Sequence, residues 1–252
     1  MNIDVPRKGQ IPALRALWRE AFGDSDAFLD TFFATGFSPD RCRCIVEGGE
    51  AQAALYWFDC LHGGRPVAYL YAIATARAHR GKGLCRALME KTHRHLADCG
   101  YAGALLVPGE ASLFDFYAKM GYRVCSTVGE IACAAAPAPV LLHRLTGEEY
   151  AALRRRFLPP NGVLQEGKSI AFLEKQAALY AGEDFLLAAR REGDALYGLE
   201  LLGNAKAAPA ALRALGCATG RFRIPAGSTP FAMYLAFDPQ HTAPAYFGLA
   251  FD

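Results

Sequence analysis

Apolar and polar positions alternate through Cys42–Glu47 and again through Ala51–Asp59, and the Gly48-Gly49 pair between them predicts a β-hairpin. Ahead of the hairpin the period lengthens. Gln10–Phe22 and Asp24–Thr35 read as two helices broken at Gly23, with Asp24 as the N-cap of the second. The short apolar run Tyr69–Thr75 predicts a strand. Beyond it, Leu84, Leu88, Thr92 and Leu96 fall in one row and Arg86, Glu90 and Arg94 in another. That spacing predicts an amphipathic helix, from near Gly83 to Gly100, with one side packed on a sheet. Ala104–Pro108 reads as a short buried strand ended by Pro-Gly. The run from Leu113 reads as a helix stopped by Gly121 and followed by another strand.

Small residues and proline collect near Ala134–Pro139, the best boundary in the chain. Past it the order partly repeats: a strand at 140–145, helices at 147–157 and 168–181, and a hairpin of 184–191 with 195–202. A short helix at Ala208–Leu215 and strands near 219–224, Phe231–Phe237 and Tyr246–Phe251 complete the pattern. The expected fold class is α+β, a mixed sheet flanked by helices in residues 1–136, followed by a second, smaller unit in residues 137–252. The basic run Arg154-Arg155-Arg156 sits on a predicted helix and reads as a solvated face.

The chemistry concentrates between the strand ending at Thr75 and the helix beginning near Gly83. Arg80-Gly81-Lys82-Gly83-Leu84-Cys85-Arg86 joins them. Gly81 and Gly83 carry no Cβ, so a polyphosphate can approach the backbone closely. The free N–H groups of the following helix point the same way, where the helix dipole favours negative charge. Charge-assisted hydrogen bonds contribute roughly 1.5–3 kcal/mol each, so a few converging amides hold a pyrophosphate firmly. A Walker loop is absent, because no Gly-x4-Gly-Lys-Ser/Thr run occurs. A dinucleotide fingerprint is absent too, since Arg86 occupies the place of its third glycine.

Arg80-x-x-Gly83-x-Cys85 after a strand resembles the acyl-CoA loop of the GNAT superfamily of N-acetyltransferases, with Cys85 where that family prefers Gly or Ala. Tyr117, four residues before Gly121-Tyr122, is similar to the family's last motif block. The resemblance covers about residues 10–125. It implies a split between two neighbouring parallel strands, with the pantetheine arm of acetyl-CoA in the gap. Ile73, Ala74 and Thr75 would then offer main-chain groups to the pantetheine and thioester. Gly81, Lys82, Gly83, Leu84, Cys85 and Arg86 would take the pyrophosphate, and Arg80 would pair with a CoA phosphate or stay solvated beside the turn. The second half lacks this loop and its long helix, so it resembles a degenerate GNAT-like domain. The tandem arrangement is similar to the enhanced-intracellular-survival-type acetyltransferases, whose further sterol-carrier-like domain has no room in 252 residues.

Acyl transfer needs a proton taken from the amine, an oxyanion stabilised, and a proton for the departing thiolate. A strand N–H near Ala74 or Thr75 suits the oxyanion. Tyr117 is the candidate acid, being neutral at pH 7, and is equally a packing residue on the row of Leu113 and Phe114. No carboxylate lies on strand 69–75. Glu110 is the first choice for substrate binding or proton relay, against a solvated loop carboxylate. Tyr69 and Tyr71 are further candidates, and Asp59 and His62 weaker ones. A non-catalytic acyl-CoA-binding or interaction module is the alternative reading.

Composition narrows partners. The formal charge of +2 is unlike a dedicated nucleic-acid binder, and no apolar stretch reaches the 18 or so residues of a membrane span. The first residues lack a signal-peptide layout, so a cytoplasmic location is expected. The expected acceptor is a small-molecule or peptide amine, and a homodimer is among the oligomeric states left open. Of eight cysteines only Cys42 and Cys44 are close, without a second pair to complete a zinc site. No metal is expected, and the cysteines read as small buried hydrophobes.

Overall fold

A computed structural model describes residues 2–251. The chain opens with α1 (Ile11–Phe22), whose Leu14, Leu17 and Trp18 form one buried row. Gly23 ends it in the left-handed region at φ 75°. The next helix, α2 (Asp26–Thr31), is capped by Ser25, whose hydroxyl accepts from the Phe28 N–H. Asp24 is therefore not the cap. Its carboxylate instead accepts from the Trp18 indole at 2.8 Å. Expected helix 24–35 continues as a π-type turn over Phe32–Gly36.

Strands β1 (Cys42–Glu47), β2 (Glu50–His62) and β3 (Arg65–Thr75) form an antiparallel meander. Helix α3 (Leu84–Asp98) buries Leu88, Met89, Thr92 and Leu96. It leads to β4 (Gly103–Leu106), which lies parallel to β3. Helix α4 (Ala111–Ala118) ends at Gly121 with φ 94°, where the Tyr122 N–H reaches back to the Tyr117 carbonyl. Then β5 (Arg123–Ala134) runs out toward the second half.

That half begins with β6 (His143–Arg144), α5 (Gly147–Phe157) and β7 (Leu164–Gln165). Expected helix 168–181 divides into α6 (Lys168–Gln176) and β8 (Ala178–Ala181). Strands β9 (Phe185–Glu192) and β10 (Ala195–Gly203) form the expected hairpin, and α7 (Ala208–Ala214) is short. The two predicted strands at 219–224 and 231–237 are one long β11 (Thr219–Ala236).

Among the described residues, all the strands join one sheet in the order β1-β2-β3-β4-β11-β10-β9-β8-β6, with β5 on β11 and β7 on β2. Two strands cross between the halves. The far end of β11 lies antiparallel to β4, pairing Met233 with Leu106 and Ala236 with Gly103. The near end of β11 lies parallel to β10. The far end of β5 runs beside that near end, Ala134 opposite Thr219. Each half thus supplies a strand to the other's part of the sheet.

The predicted strand at Tyr246–Phe251 is no strand. Only Tyr246 makes an isolated bridge, to Gly162. Its carbonyls are met by side chains instead: Ser126 donates to Phe247, Arg223 to Gly248, Gln165 to Leu249 and Tyr71 to Phe251. The segment is buried this way without a ladder, as its backbone requires.

Arg154 corrects the solvated-face reading. It is fully buried, donating from Nε and Nη2 to the Glu200 carboxylate at 2.7 and 2.8 Å. The hydroxyls of Tyr150 and Tyr246 donate to the same carboxylate. Cysteine burial also differs from expectation: Cys99 is exposed, and Cys85, Cys125 and Cys133 are half-buried. No helix among the described residues is long and apolar enough to cross a membrane.

Candidate active site

Strands β3 and β4 pair only from Val67↔Gly103 to Tyr69↔Leu105 and then part. A bulge sits just beyond the parting. On the other side of β3 the register jumps from Tyr56↔Tyr71 to Ala54↔Ala74, and Ala72 takes φ 48°. A bulge sharpens the local twist and re-aims side chains, and left-handed backbone in a non-glycine residue is retained only where its surroundings enforce it. The pairing of β3 with β4 thereby stops at Tyr69.

A cavity of about 550 Å³ opens at this parting. One side is walled by Leu70, Ile73, Leu106, Leu113, Phe114 and Tyr117, which belong to the core beneath α3 and α4. The other side is walled by Trp18, Phe28, Tyr69, Tyr71, Phe231 and Phe251, which belong to the core on the opposite face. The cavity therefore passes through the sheet. Its second wall is assembled from both halves of the chain, since Phe231 lies on β11 and Phe251 in the final segment.

At the end of β3, Gly81 and Gly83 have φ 75° and 78°, and a Cβ at either position would meet nothing within 4 Å. The backbone of the loop is bare to an approaching group. Gly83 caps α3 with no side-chain hydrogen bond, so the first N–H groups of the helix have no side-chain cap. Lys82 and Arg86 are exposed, and Leu84 and Cys85 half-buried. The Arg80 side chain turns back, donating from Nε to the Thr75 carbonyl at 3.1 Å, and so ties the loop to the strand. Burial pushes the Cys85 thiol up to about 11, which keeps it protonated and inert. The Thr75 hydroxyl is buried without a hydrogen-bond partner, an unmet polar demand beside the loop. Ala74 is buried on the strand between it and Ile73.

Tyr117 is buried on α4, and burial, with Cys85 adding to it, pushes its phenol above the usual range. It holds its proton throughout the neutral range. Glu110 occupies the N-cap position of α4, exposed, its carboxylate accepting from the Ser112 hydroxyl at 2.6 Å. It is not part of the cavity wall, although its neighbour Gly109 is. Tyr69 and Tyr71 do line the cavity.

Asp59 and His62 lie elsewhere. Asp59 accepts from Arg41 and Tyr101 at a separate cavity. His62 is buried against Asn161 and His241. Among the described residues no cluster of three or more His, Cys, Asp or Glu could hold a metal ion.

Of the second wall only Tyr69 and Tyr71 are legible in the sequence as candidates. Trp18 and Phe28 carried only a helical period, although Phe28, Phe32, Phe33 and Phe37 were an unusual aromatic density. Leu199, Phe231 and Phe251 reach the cavity from the second half of the chain, Phe231 on the exchanged strand β11.

The second half has a parting of its own. Strand β10 pairs in parallel with β11 from Ala195↔Thr219 to Gly198↔Phe222 and no further. Here the Arg223 guanidinium donates to the carbonyls of Leu199 and Gly248 and to the Tyr197 hydroxyl. A side chain satisfies the groups that a ligand could otherwise meet.

Residues 2–125 match the family model described as an acetyltransferase (GNAT) domain. A stretch of 66 residues is 38% identical to the N-acetyltransferase Eis of Mycobacterium tuberculosis, covering 26% of this chain and 16% of that protein. The fold is similar to a GCN5-related N-acetyltransferase from Kribbella flavida, with a TM-score of 0.71 at 18% identity over 94% of this chain and 71% of that one. A probable N-acyltransferase from Enterococcus faecalis matches with a TM-score of 0.72 at 15% identity, covering 95% of this chain and 73% of the other. Residues 2–125 belong to the GNAT superfamily of N-acetyltransferases.

Proposed function

We propose that this chain moves an acetyl group from acetyl-CoA to a primary amine of a small molecule or peptide. The observation that carries the reading is the passage through the sheet. It has Leu113, Phe114 and Tyr117 in its wall on the α3 and α4 side and a ring-lined chamber on the other, and the bare glycine loop lies beyond the end of β3 at the N-terminus of α3. The fit to acetyl-CoA rests on open space at Gly81 and Gly83, the unmatched Thr75 hydroxyl and the parting of β3 from β4 after Tyr69.

In this reading the amides from Gly81 to Arg86 hold the pyrophosphate, with Lys82 and Arg86 adding charge. Main-chain groups of Ile73, Ala74 and Thr75 orient the pantetheine and thioester. An N–H at Ala74 or Thr75 stabilises the oxyanion as the amine adds to the carbonyl. Tyr117 then donates its proton to the departing sulfur. Glu110, outside the chamber wall, serves as a relay to solvent at most.

Residues 137–252 are read as a degenerate GNAT-like domain, with residues 1–136 as the acetyl-CoA-binding domain. The occupied parting at Arg223 supports a single acetyl-CoA site per chain. The free thiols at all eight cysteines support a cytoplasmic, reducing location.

The deciding experiment is amine-dependent release of CoA thiol from acetyl-CoA, with calorimetry of CoA binding beside it. Release that rises with amine and one site per chain is expected. Gly83→Glu, which puts bulk and negative charge in the loop, should abolish binding in a chain whose circular dichroism is unchanged. Saturable binding with no release from any amine would instead mark a non-catalytic acyl-CoA-binding module.

A further inference from the structure

The acceptor chamber is built for an amine on a flat apolar body. This inference rests on the transfer reading, because it describes what enters the same passage from the side opposite the loop. The chamber wall is mostly rings: Trp18, Phe28, Tyr69, Tyr71, Phe231 and Phe251, with Phe22 at the outer edge, where it is 47% exposed. The rings hold one another edge-on and tilted. Trp18 and Tyr71 are 5.7 Å apart between centroids, and Tyr71 and Phe251 likewise 5.7 Å. Such a wall favours a planar apolar guest over a hydrated one.

Charge among the described residues of the chamber is sparse. Among its lining residues Asp24 is the carboxylate and Arg190 the cation. Asp24 already accepts the Trp18 indole N–H. Arg190 bonds Glu192 and lies over the Tyr197 ring. A single ammonium entering this space can lose its proton, because an apolar surround disfavours the charged amine and lowers its pKa. The neutral amine is the attacking form, so the chamber prepares the nucleophile without a strand carboxylate. A polycation would bury further charges, and among the described lining residues the one carboxylate, Asp24, already accepts from Trp18.

We propose that the acceptor is an arylalkyl monoamine, its ring held between Tyr71, Phe28 and Phe22 and its nitrogen directed to the parting of β3 and β4. In the transfer the amine nitrogen forms a bond to the acetyl carbon and the carbon–sulfur bond breaks. The amine loses one proton to solvent, and the CoA sulfur gains one.

The test uses the full chain with acetyl-CoA and three amines: 2-phenylethylamine, ethylamine and spermidine. A single methylene in an apolar pocket changes kcat/KM roughly 10–200-fold, so the aryl amine should exceed ethylamine by at least about 100-fold, and spermidine by at least about 10-fold. Phe22→Ala, at an exposed edge, should narrow the aryl advantage about 10-fold and leave the KM for acetyl-CoA unchanged. Calorimetry of 2-phenylethylamine on the CoA-saturated chain gives a readout independent of turnover. Aryl binding without thiol release from any amine overturns the transfer reading and leaves the chamber assignment standing. Turnover that is equal across the amines, or best with spermidine, overturns the assignment and leaves transfer intact. Absence of both aryl binding and aryl turnover also overturns it.

Discussion

Met233 stands opposite Leu106 in antiparallel register, so a residue from β11 sits beside the wall of the cavity between β3 and β4. Without that strand β4 would have one open edge, and buried Ala104 and Leu105 would lose their neighbour. An uncovered edge of this kind is a template for aggregation. Residues 1–136 produced alone should therefore aggregate or bind no CoA, although they contain the whole glycine loop. Co-production with 137–252 should restore a soluble, CoA-binding complex. Size-exclusion chromatography with calorimetry decides it, and a monomeric 1–136 fragment with full affinity would show that the exchanged strand is dispensable.

The buried pair of Arg154 and Glu200 makes a second prediction. Glu200→Gln keeps the shape but leaves the guanidinium charge unmatched among Tyr150, Tyr246 and the Val163 carbonyl. Breaking one side of a buried pair costs about 3–5 kcal/mol. Replacing both, as Arg154→Met with Glu200→Gln, should cost less than the sum of the two single changes. Urea denaturation read as a double-mutant cycle measures this. A single-variant cost below about 1 kcal/mol would mean that the network contributes little.

What could be read from the sequence was local. The loop from Arg80 to Arg86, the α3 row of Leu88, Thr92 and Leu96, and the stop at Gly121 each follow from residues within a few turns of one another. Long-range compensation could not be read. Arg154 looks like a surface charge until Glu200, 46 positions away, is placed against it. Segment 246–251 has the apolar run of a strand, yet its carbonyls are satisfied by Ser126, Arg223, Gln165 and Tyr71 from distant elements. Most of the ring wall was hidden for the same reason: beyond Tyr69 and Tyr71 its members lie on α1, α2, β11 and that final segment, and the exchanged β11 brings Phe231 to the rest.

His93 on α3 gives a pH prediction. Burial lowers its pKa to about 4 from 6.5, and its Nε2 meets the Tyr122 hydroxyl at 2.8 Å. Between those values the unfolded chain binds a proton that the folded chain refuses. Stability therefore rises with pH across this window and falls as pH drops from about 6.5 toward 4, by about 2–3 kcal/mol from this residue. His93→Gln keeps a polar partner for Tyr122 and removes the titration. Melting temperatures of parent and variant at pH 7 and pH 4.5 should diverge, with the parent losing more. Equal losses would assign the acid sensitivity to other groups.

Tyr117→Phe tests the chemistry itself. The change keeps the ring among its neighbours, including Tyr122 at 6.0 Å and Phe116 at 5.3 Å between centroids, and removes only the hydroxyl. General acid catalysis contributes typically about 10²–10⁴-fold, so kcat should fall in that range while acetyl-CoA affinity and the thermal melt stay near those of the parent. The pH profile carries a second mark. Because burial holds the phenol above its usual range, the parent should show no loss of turnover from Tyr117 ionisation below about pH 10. Activity of the Phe variant within a few-fold of the parent, with an unchanged profile, would reduce Tyr117 to a packing residue and leave water as the proton source for the leaving thiolate.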